Sequence, residues 1–413
     1  MLGLRVFLLC LFGCVLRLDT AAQTFLLPNN FEQASIPFDY QNGFLLVSLT
    51  INGQLPLRFI FDTGAEHTLL LQPEMAVAMG MKYTRVFDIQ GSDLTGDRRA
   101  YLVRNVTLSS PTTRNERLDF TRRSILVLQE DYFRFGSYAG EQIHGILGAD
   151  IFANFMVRLD FKRRVIRLYR PGRFKPGDDF TPLPLDIYRN KPYLTATTGL
   201  TAADSIPVKL LVDSGAALPL LLYTETSEQL TLPEEVLEGV IGAGLGGDLN
   251  GYLGRMDKLQ LGPHRLERPL TNFQELPVLV DTSLLNQRQG ILGSRILSGF
   301  DVVFDYQNAL LYLKRYRRKP SRRQYDRSGL IVVAGGENLH EYYVHWVIPG
   351  SPAAEAGLLA GDRIIKVNGR ITKLIGLNGV RALFRRKAGK RVRLVVWRAG
   401  QPVKAEVVLR DLI

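Results

Sequence analysis

Two aspartates in this sequence occupy nearly identical settings that could support acid–base chemistry. Asp62 ends the apolar run at residues 59–61, and a hydroxyl residue, a glycine and an alanine follow it. Asp213 lies 151 residues later, ends a similar apolar run and is followed by the same kinds of residue. Two carboxyl groups within about 3 Å of each other cannot both ionise at low cost, so they share one proton. Such a pair could take a proton from water and donate another to a substrate carbonyl.

A second motif repeats behind each aspartate. Gly-Ile-Leu-Gly occurs at residues 145–148 and 290–293, and its last glycine precedes Asp160 or Asp305 by twelve residues. A single Asp-Thr-Gly or Asp-Ser-Gly is a common turn signal, but two copies with the same following motif indicate an internal duplication. We therefore predict two homologous lobes of about 140 residues each, a normal domain size. Asp160 and Asp305 are interpreted as turn formers between strands.

The elements that must position these aspartates have the pattern of β-strands. Two strand-like runs flank Asn52-Gly53, a dipeptide typical of tight hairpins. Short apolar runs at 165–169 and 310–313 are expected to close each lobe, and helical patterns are scarce. The predicted fold class is mainly β.

The motifs resemble those of the retropepsin-like and pepsin-like aspartic proteases over roughly residues 35–316. The resemblance implies a bilobal aspartic-protease fold in which two retropepsin-like β lobes of one chain each supply one catalytic aspartate, Asp62 and Asp213. It implies peptide-bond hydrolysis by a water activated between them. The residues that it places in the supporting active-site loops are Thr63, Gly64, Ala65, Ser214, Gly215 and Ala216.

Further features follow from the same resemblance. Thr63 and Ser214 are expected to form hydrogen bonds across the lobe interface. Thr68 fits the family's hydroxyl position six residues after the first aspartate, whereas Pro219 departs from it in the second lobe. The glycine-marked stretches that begin at Asp88 and Gly239 stand where the family has a substrate-covering flap. Either stretch could equally be an ordinary surface hairpin.

The C-terminal part resembles a bacterial PDZ domain, a small α+β fold, through motifs between Gly350 and Gly369. Such domains bind an extended peptide as an added strand, and their backbone amides capture its C-terminal carboxylate. A purely structural cap is the alternative. His345 and Trp346 are predicted to be packing residues of a strand. The residues expected to bind peptide are Ser328, Gly329, Leu330, Ile331, Val380 and Leu383.

The beginning of the chain is typical of a secretory signal. Arg5 precedes an apolar run at 6–16, which is too short to span a bilayer comfortably, and small residues at 20–22 offer a cleavage site. We expect export to the periplasm or the cell exterior. Lipid attachment at Cys14 and a buried N-terminal helix are the alternatives. The predicted division of the chain is a signal peptide at 1–22, lobes at 30–172 and 180–316, a basic linker at 317–326 and the PDZ domain at 327–413.

Composition narrows the chemistry further. Both cysteines, Cys10 and Cys14, lie in the signal segment, so the cleaved chain would have no thiol for catalysis or metal binding. No metal and no cofactor are expected. The net charge is +12, which suggests attraction to acidic surfaces or partners. The basic run that begins at Lys314 is interpreted as an exposed linker, for which contact with anionic membrane or envelope polymer is favoured over nucleic acid. The predicted function is a secreted aspartic endopeptidase whose PDZ domain recruits or gates peptide or protein C-termini, and the alternative is a non-catalytic peptide-binding scaffold.

Overall fold

The computed structural model describes residues 32–90, 97–244, 247–276, 287–317 and 325–413. The predicted signal peptide, with Cys14, lies outside the described residues, and so does most of the basic linker. Among the described residues, no helix is long and apolar enough to cross a membrane.

The first lobe is built from short strands and three short helices. The strands are β1 (Gln33–Pro37), β2 (Asp39–Gln41), β3 (Phe44–Ile51), β4 (Pro56–Phe61), β5 (Leu69–Leu70), β6 (Tyr83–Gln90), β7 (Asp97–Pro111), β8 (Arg117–Leu128), β9 (Gly145–Leu147), β10 (Met156–Asp160) and β11 (Val165–Tyr169). The helices are α1 (Pro73–Ala78), α2 (Phe135–Ala139) and α3 (Ala149–Phe152).

The second lobe repeats much of this order. Its strands are β12 (Thr181–Tyr188), β13 (Lys191–Gly199), β14 (Ile206–Asp213), β15 (Leu220–Tyr223), β16 (Leu237–Gly244), β17 (Gly247–Arg255), β18 (Lys258–Leu261), β19 (His264–Glu267), β20 (Leu270–Gln274), β21 (Gly290–Gly293), β22 (Phe300–Asp305) and β23 (Leu310–Arg315). A 3-10 turn spans Thr224–Thr226, and helix α4 spans Ser294–Leu297.

The C-terminal domain has its own sheet and core. Its strands are β24 (Leu330–Gly335), β25 (Glu341–Val347), β26 (Arg363–Val367), β27 (Arg370–Ile371), β28 (Arg391–Arg398) and β29 (Gln401–Val408), and its helices are α5 (Pro352–Glu355) and α6 (Thr372–Phe384). Strand β24 lies at one edge of this sheet, next to β25. Helix α6 is broken at Gly376, whose φ is 69°.

The duplicated motifs become duplicated strand pairs. Strand β4 pairs in parallel with β9, so that Phe61 lies opposite Leu147. Strand β14 pairs in parallel with β21, so that Val212 lies opposite Leu292. The Ile-Leu-Gly motifs therefore run beside the strands that end at the two aspartates. All of these strands are largely buried, as continuous apolar runs predict.

The last strands of the lobes do not close each lobe separately, as the sequence suggested. They join one sheet in the order β1-β11-β10-β22-β23-β12, with β10 and β22 antiparallel at the junction. Arg158 and Asp301 form a two-pronged ion pair across this junction, with N–O distances of 2.9 and 2.6 Å. The two lobes share this sheet because an edge strand has unpaired backbone N–H and C=O groups. An apolar edge strand of one lobe satisfies these groups best by pairing with the matching strand of the other lobe.

Candidate active site

The carboxyl groups of Asp62 and Asp213 face each other where the two lobes meet. Each is half-buried at the end of its strand. Oδ1 of Asp62 accepts from the backbone N–H groups of Gly64 and Ala65, at 2.7 and 3.1 Å. Oδ1 of Asp213 accepts in the same way from the two residues that follow its own serine, both at 2.8 Å. Each carboxylate is thus held by the turn that its own motif forms.

Each glycine of the two motifs lies against the carboxylate of the opposite lobe. A Cβ added to Gly64 would lie 2.4 Å from Oδ2 of Asp213, and one added to Gly215 would lie 2.2 Å from Cγ of Asp62. Any side chain there would push the carboxyl groups apart. The close approach therefore explains why both positions are glycine.

The surroundings raise the pKa of both carboxyl groups. Burial, the charge of Asp213 and a hydrogen bond to Asp213 raise the pKa of Asp62 well above its usual range. Burial also raises the pKa of Asp213, but the amides of its turn, the hydrogen bond from Asp62 and the charge of Arg288 oppose that rise. The two groups therefore titrate as a pair, and their surroundings favour a state with one proton between them.

A reciprocal set of hydrogen bonds fixes the two loops across the lobe interface. The hydroxyl of Thr63 donates to the carbonyl of Val212 at 2.7 Å, and the hydroxyl of Ser214 donates to the carbonyl of Phe61 at 2.8 Å. Each hydroxyl also accepts from the backbone N–H of the other residue, at 3.1 and 3.0 Å. The predicted contact between Thr63 and Ser214 is confirmed.

The two lobes support their loops differently at the position where the sequence departs from the family. In the first lobe, the hydroxyl of Thr68 accepts from the N–H of Gly148 at 3.1 Å and donates to Asp150 at 2.8 Å. In the second lobe, the N–H of Gly293 donates instead to the backbone carbonyl of Pro219, at 2.9 Å. The missing hydroxyl is replaced by a main-chain oxygen, so the loop keeps its hydrogen bond.

Asp160 and Asp305 lie away from the pair and cap turns, as predicted. Asp160 accepts from the N–H of Arg163 at 3.0 Å, and Asp305 accepts from the N–H of Asn308 at 3.1 Å.

Arg288 is a residue near the pair that sequence reasoning missed. Its Nη2 donates to the hydroxyl of Tyr223 at 3.3 Å, and its guanidinium lies 5.8 Å from the centre of that ring. Its Nε is buried without a hydrogen-bond partner among the described residues. Lys191 lies in the same region, where burial and then the charge of Arg288 lower its pKa. Arg288 lies two residues before strand β21, 75 residues after Asp213, so only the folded chain shows that its charge acts on that aspartate.

A family model for aspartyl proteases matches residues 47–151 and 199–296, and a PDZ-domain model matches residues 343–398. This chain contains an aspartyl protease region followed by a PDZ domain. Over 53 residues it is 49% identical to the carboxy-terminal processing protease CtpA of Bacillus subtilis (strain 168), a match that covers 13% of this chain and 11% of that one.

The structural neighbours include soybean basic 7S globulin and the aspartic proteinase from Irpex lacteus. The first has a TM-score of 0.42 and 11% identity, over 68% of this chain and 95% of its own. The second has a TM-score of 0.44 and 12% identity, over 70% of this chain and 99% of its own.

Both stretches at the flap positions of the aspartyl protease region form hairpins. Strands β6 and β7 form the first, and β16 and β17 form the second. The tips, residues 91–96 and 245–246, lie outside the described residues. Which hairpin closes over a substrate stays a prediction.

The loop predicted to capture a peptide carboxylate already holds a carboxylate of this chain. The N–H groups of Ser328, Gly329 and Leu330 point to Oδ1 of Asp326, at 2.8, 2.9 and 3.4 Å. The hydroxyl of Ser328 donates to the same oxygen at 2.6 Å. An incoming peptide carboxylate would have to compete with Asp326 for these donors.

The other predicted peptide-binding residues lie in or near the core of the PDZ domain. Val380 is fully buried there, and Leu383 packs against the same core. Leu330 is buried and Ile331 is half-buried on strand β24. Their role in peptide binding stays a prediction.

The groove between β24 and α6 is covered by helix α2 of the first lobe. A Cβ added to Gly140, at the end of α2, would lie 3.0 Å from Leu377 of α6. The guanidinium of Arg381 on α6 donates to the carbonyl of Val332 on β24, at 2.6 and 3.2 Å, and to the carbonyl of Tyr138 on α2, at 2.8 Å. A peptide that added a strand to this sheet would need the edge of β24, and α2 and Arg381 lie there.

The same helix is connected to the hairpin of β16 and β17. Asp248 of that hairpin accepts from the hydroxyl of Tyr138 at 2.5 Å and lies 2.5 Å from Nε2 of His345 in the PDZ domain. A Cβ added to Gly239 would lie 3.0 Å from the indole of Trp346. His345 and Trp346 lie in strand β25, as predicted, and they pack against residues of the two lobes, with Trp346 38% exposed.

Proposed function

We propose that this protein is a secreted aspartic endopeptidase, which hydrolyses peptide bonds with a water held between Asp62 and Asp213. The observation that carries the proposal is the close approach of the two carboxyl groups. Each of them lies against the motif glycine of the other lobe. A scaffold that only bound peptides would not need two half-buried carboxyl groups held this close together. The duplicated hydrogen bonds of Thr63 and Ser214 support it, because they hold the pair rigid.

In this mechanism the two aspartates have different roles. The ionised carboxylate of Asp213 takes a proton from the water as its oxygen attacks the scissile carbonyl carbon. The protonated carboxyl of Asp62 donates to the carbonyl oxygen, which gives a tetrahedral diol. Asp213 then gives the proton that it took from the water to the amide nitrogen, and Asp62 takes a proton from a diol hydroxyl as the carbonyl re-forms and the C–N bond breaks. The amides that bind Oδ1 of each aspartate keep the outer oxygens directed at the substrate.

The direct test replaces one carboxylate at a time. Asp62→Asn and Asp213→Asn should each lower peptide hydrolysis at least about 100-fold, the scale of general acid–base catalysis. A mixed peptide library read by mass spectrometry measures this loss for each variant. Substantial turnover by either variant would contradict the shared-proton mechanism and favour the scaffold.

Thermal unfolding supplies the control for folding. A carboxyl group whose pKa is higher in the folded state than in the unfolded chain destabilises the folded state once the pH rises above the pKa of the unfolded chain. Asp62→Asn should therefore unfold at the same temperature as the wild type at low pH. Above about pH 5 it should unfold at a higher temperature than the wild type. A variant that is inactive but stable in this way has lost chemistry and not structure.

We propose further that the PDZ domain gates the protease. The cover of α2 on the groove, the bridge made by Arg381 and the contacts of Asp248 support one connected unit. A peptide or protein C-terminus that entered the groove would displace α2 and so release the hairpin of β16 and β17 from Tyr138. Since a substrate-covering hairpin must move during turnover, release should increase activity.

Localisation is part of the proposal. The charged start, short apolar run and small residues before Gln23 support export by a signal peptide to the periplasm or cell exterior. Lipid attachment at Cys14 is the alternative, and mass spectrometry of the mature N-terminus distinguishes the two.

A further inference from the structure

A large cavity lies between both lobes and the PDZ domain, away from the two aspartates. Its volume is about 560 Å³, within the range of small-molecule sites. Tyr40, Asn42 and Arg164 of the first lobe, residues 266–270 and 298–300 of the second lobe and Asn378 of the PDZ domain contribute to its wall. The cavity therefore exists only when the three parts are assembled.

The wall has an unusual charge. Its arginines are Arg164, Arg255, Arg268, Arg295, Arg315 and Arg385. Within the described part of the chain, Glu267 is the one carboxylate in the wall, and it is paired with Arg265 outside the cavity, at 2.7 Å. Among the described residues, none of the six arginines forms an ion pair with a carboxylate.

Several of these guanidinium groups are close enough to oppose one another. Burial and then the charge of Arg385 lower the pKa of Arg295. Burial and then the charges of Arg295 and Arg385 lower the pKa of Arg381, beside the cavity, to about 9. Like charges gathered at a partly desolvated surface raise the free energy of the assembled state unless a counter-charge is present.

The hydrogen bonds of Arg295 and Arg255 go to neutral groups. Arg295 donates to the carbonyls of Ala217 and Asn42, at 2.8 and 3.2 Å. Arg255 donates to the carbonyl of Arg268 at 2.8 Å, and its guanidinium lies 5.3 Å from the centre of the Tyr325 ring. Carbonyls and rings orient a guanidinium but do not neutralise it, and each guanidinium retains further N–H donors.

We propose that this cavity is a binding site for a multiply charged phosphate compound. Guanidinium groups match phosphate oxygens in geometry as well as charge. A ligand with two or more phosphate groups could contact Arg295 of the second lobe and Arg385 of the PDZ domain together. Its binding would hold the PDZ domain against the lobes. The proposal does not depend on proteolysis.

Calorimetric titration of the full chain with sodium tripolyphosphate, at constant ionic strength, tests the site. The wild type should bind one equivalent with saturation. Arg385→Gln should weaken the affinity about tenfold, the effect of one lost charge-assisted hydrogen bond. Arg386→Gln is the matched control, because this exposed neighbour is not part of the wall, and it should change the affinity less than about twofold.

Two results would overturn the proposal: no saturable binding, or equal losses in Arg385→Gln and Arg386→Gln, which would mean non-specific attraction. If Arg385→Gln does not fold, Arg268→Gln, at an exposed position of the same wall, takes its place. Sedimentation with phosphatidylglycerol vesicles separates the possible sources of the phosphate. Vesicle binding that tripolyphosphate displaces, and that needs Arg385, indicates a lipid headgroup, whereas tripolyphosphate binding alone indicates a free compound.

Discussion

Tyr138 of the first lobe donates its hydroxyl hydrogen to Asp248 of the second lobe's hairpin, at 2.5 Å. Tyr138 lies on the helix that covers the PDZ groove, and its carbonyl accepts from Arg381 of that domain. One residue thus connects the groove with a hairpin at the flap position. In the proposed gate, opening would break the hydrogen bond between Tyr138 and Asp248.

Tyr138→Phe should increase protease activity while the ring stays in place. The substitution removes only the hydroxyl, so it releases Asp248 without uncovering the groove. The gain in kcat/KM should be roughly two- to fivefold, since partly exposed polar pairs contribute up to about 1 kcal/mol. Steady-state cleavage of a reporter peptide measures it. Tyr132→Phe serves as the control, and equal gains in both variants would contradict the gate.

The PDZ groove should bind C-terminal peptides better when helix α2 is absent. A fragment of residues 320–413 should bind a peptide with a free apolar C-terminus more tightly than the full chain does, because nothing of the first lobe covers β24. Amidation of the peptide should weaken binding to the fragment by about 1.5–3 kcal/mol, the contribution of hydrogen bonds to a charged group. Fluorescence anisotropy compares the four affinities. Equal affinity for acid and amide would indicate a structural cap.

Arg288 should set the acidic limb of the pH–activity profile. Its positive charge lowers the pKa of Asp213, which must be ionised to act as the base. Arg288→Gln removes that charge, so the pKa of Asp213 rises and the acidic limb moves to higher pH. Arg288→Lys keeps the charge and should leave the limb near its wild-type position. Profiles of kcat/KM against pH separate the two variants. An acidic limb that stays at its wild-type position in Arg288→Gln would show that Arg288 does not act on Asp213.

Ala65 and Ala216 should extend activity towards neutral pH. Neither side chain can donate a hydrogen bond to its carboxylate, and such a bond would favour the ionised form and lower the pKa. We expect a bell-shaped profile with measurable turnover at about pH 6. Replacing both alanines with serine should move the basic limb down by up to about one pH unit, if each new bond contributes roughly 1 kcal/mol. An unchanged limb would show that other groups set the working pH.

The sequence by itself determined the pair of aspartates and their loops. Each motif consists of a strand, a carboxylate, a hydroxyl residue and a glycine that are adjacent along the chain. The duplication of this motif indicated two homologous lobes, each with one such turn. The hydrogen bonds of Gly64 to Asp62 and of Gly215 to Asp213 span only two residues, so local sequence was sufficient to predict the turns. The resemblance to aspartic proteases then supplied the contact between the lobes.

Only the tertiary structure decided how the PDZ domain relates to the protease. Arg381 and Tyr138 are 243 residues apart, and Tyr138 and Asp248 are 110 residues apart. No pattern along the chain predicts either contact. The capture of the loop amides by Asp326 is local, but an aspartate two residues before a loop has many other uses. The arginine-lined cavity combines three parts of the chain, and each arginine alone reads as a solvated surface charge. Packing between domains, which depends on the shapes of whole surfaces, brings these residues together.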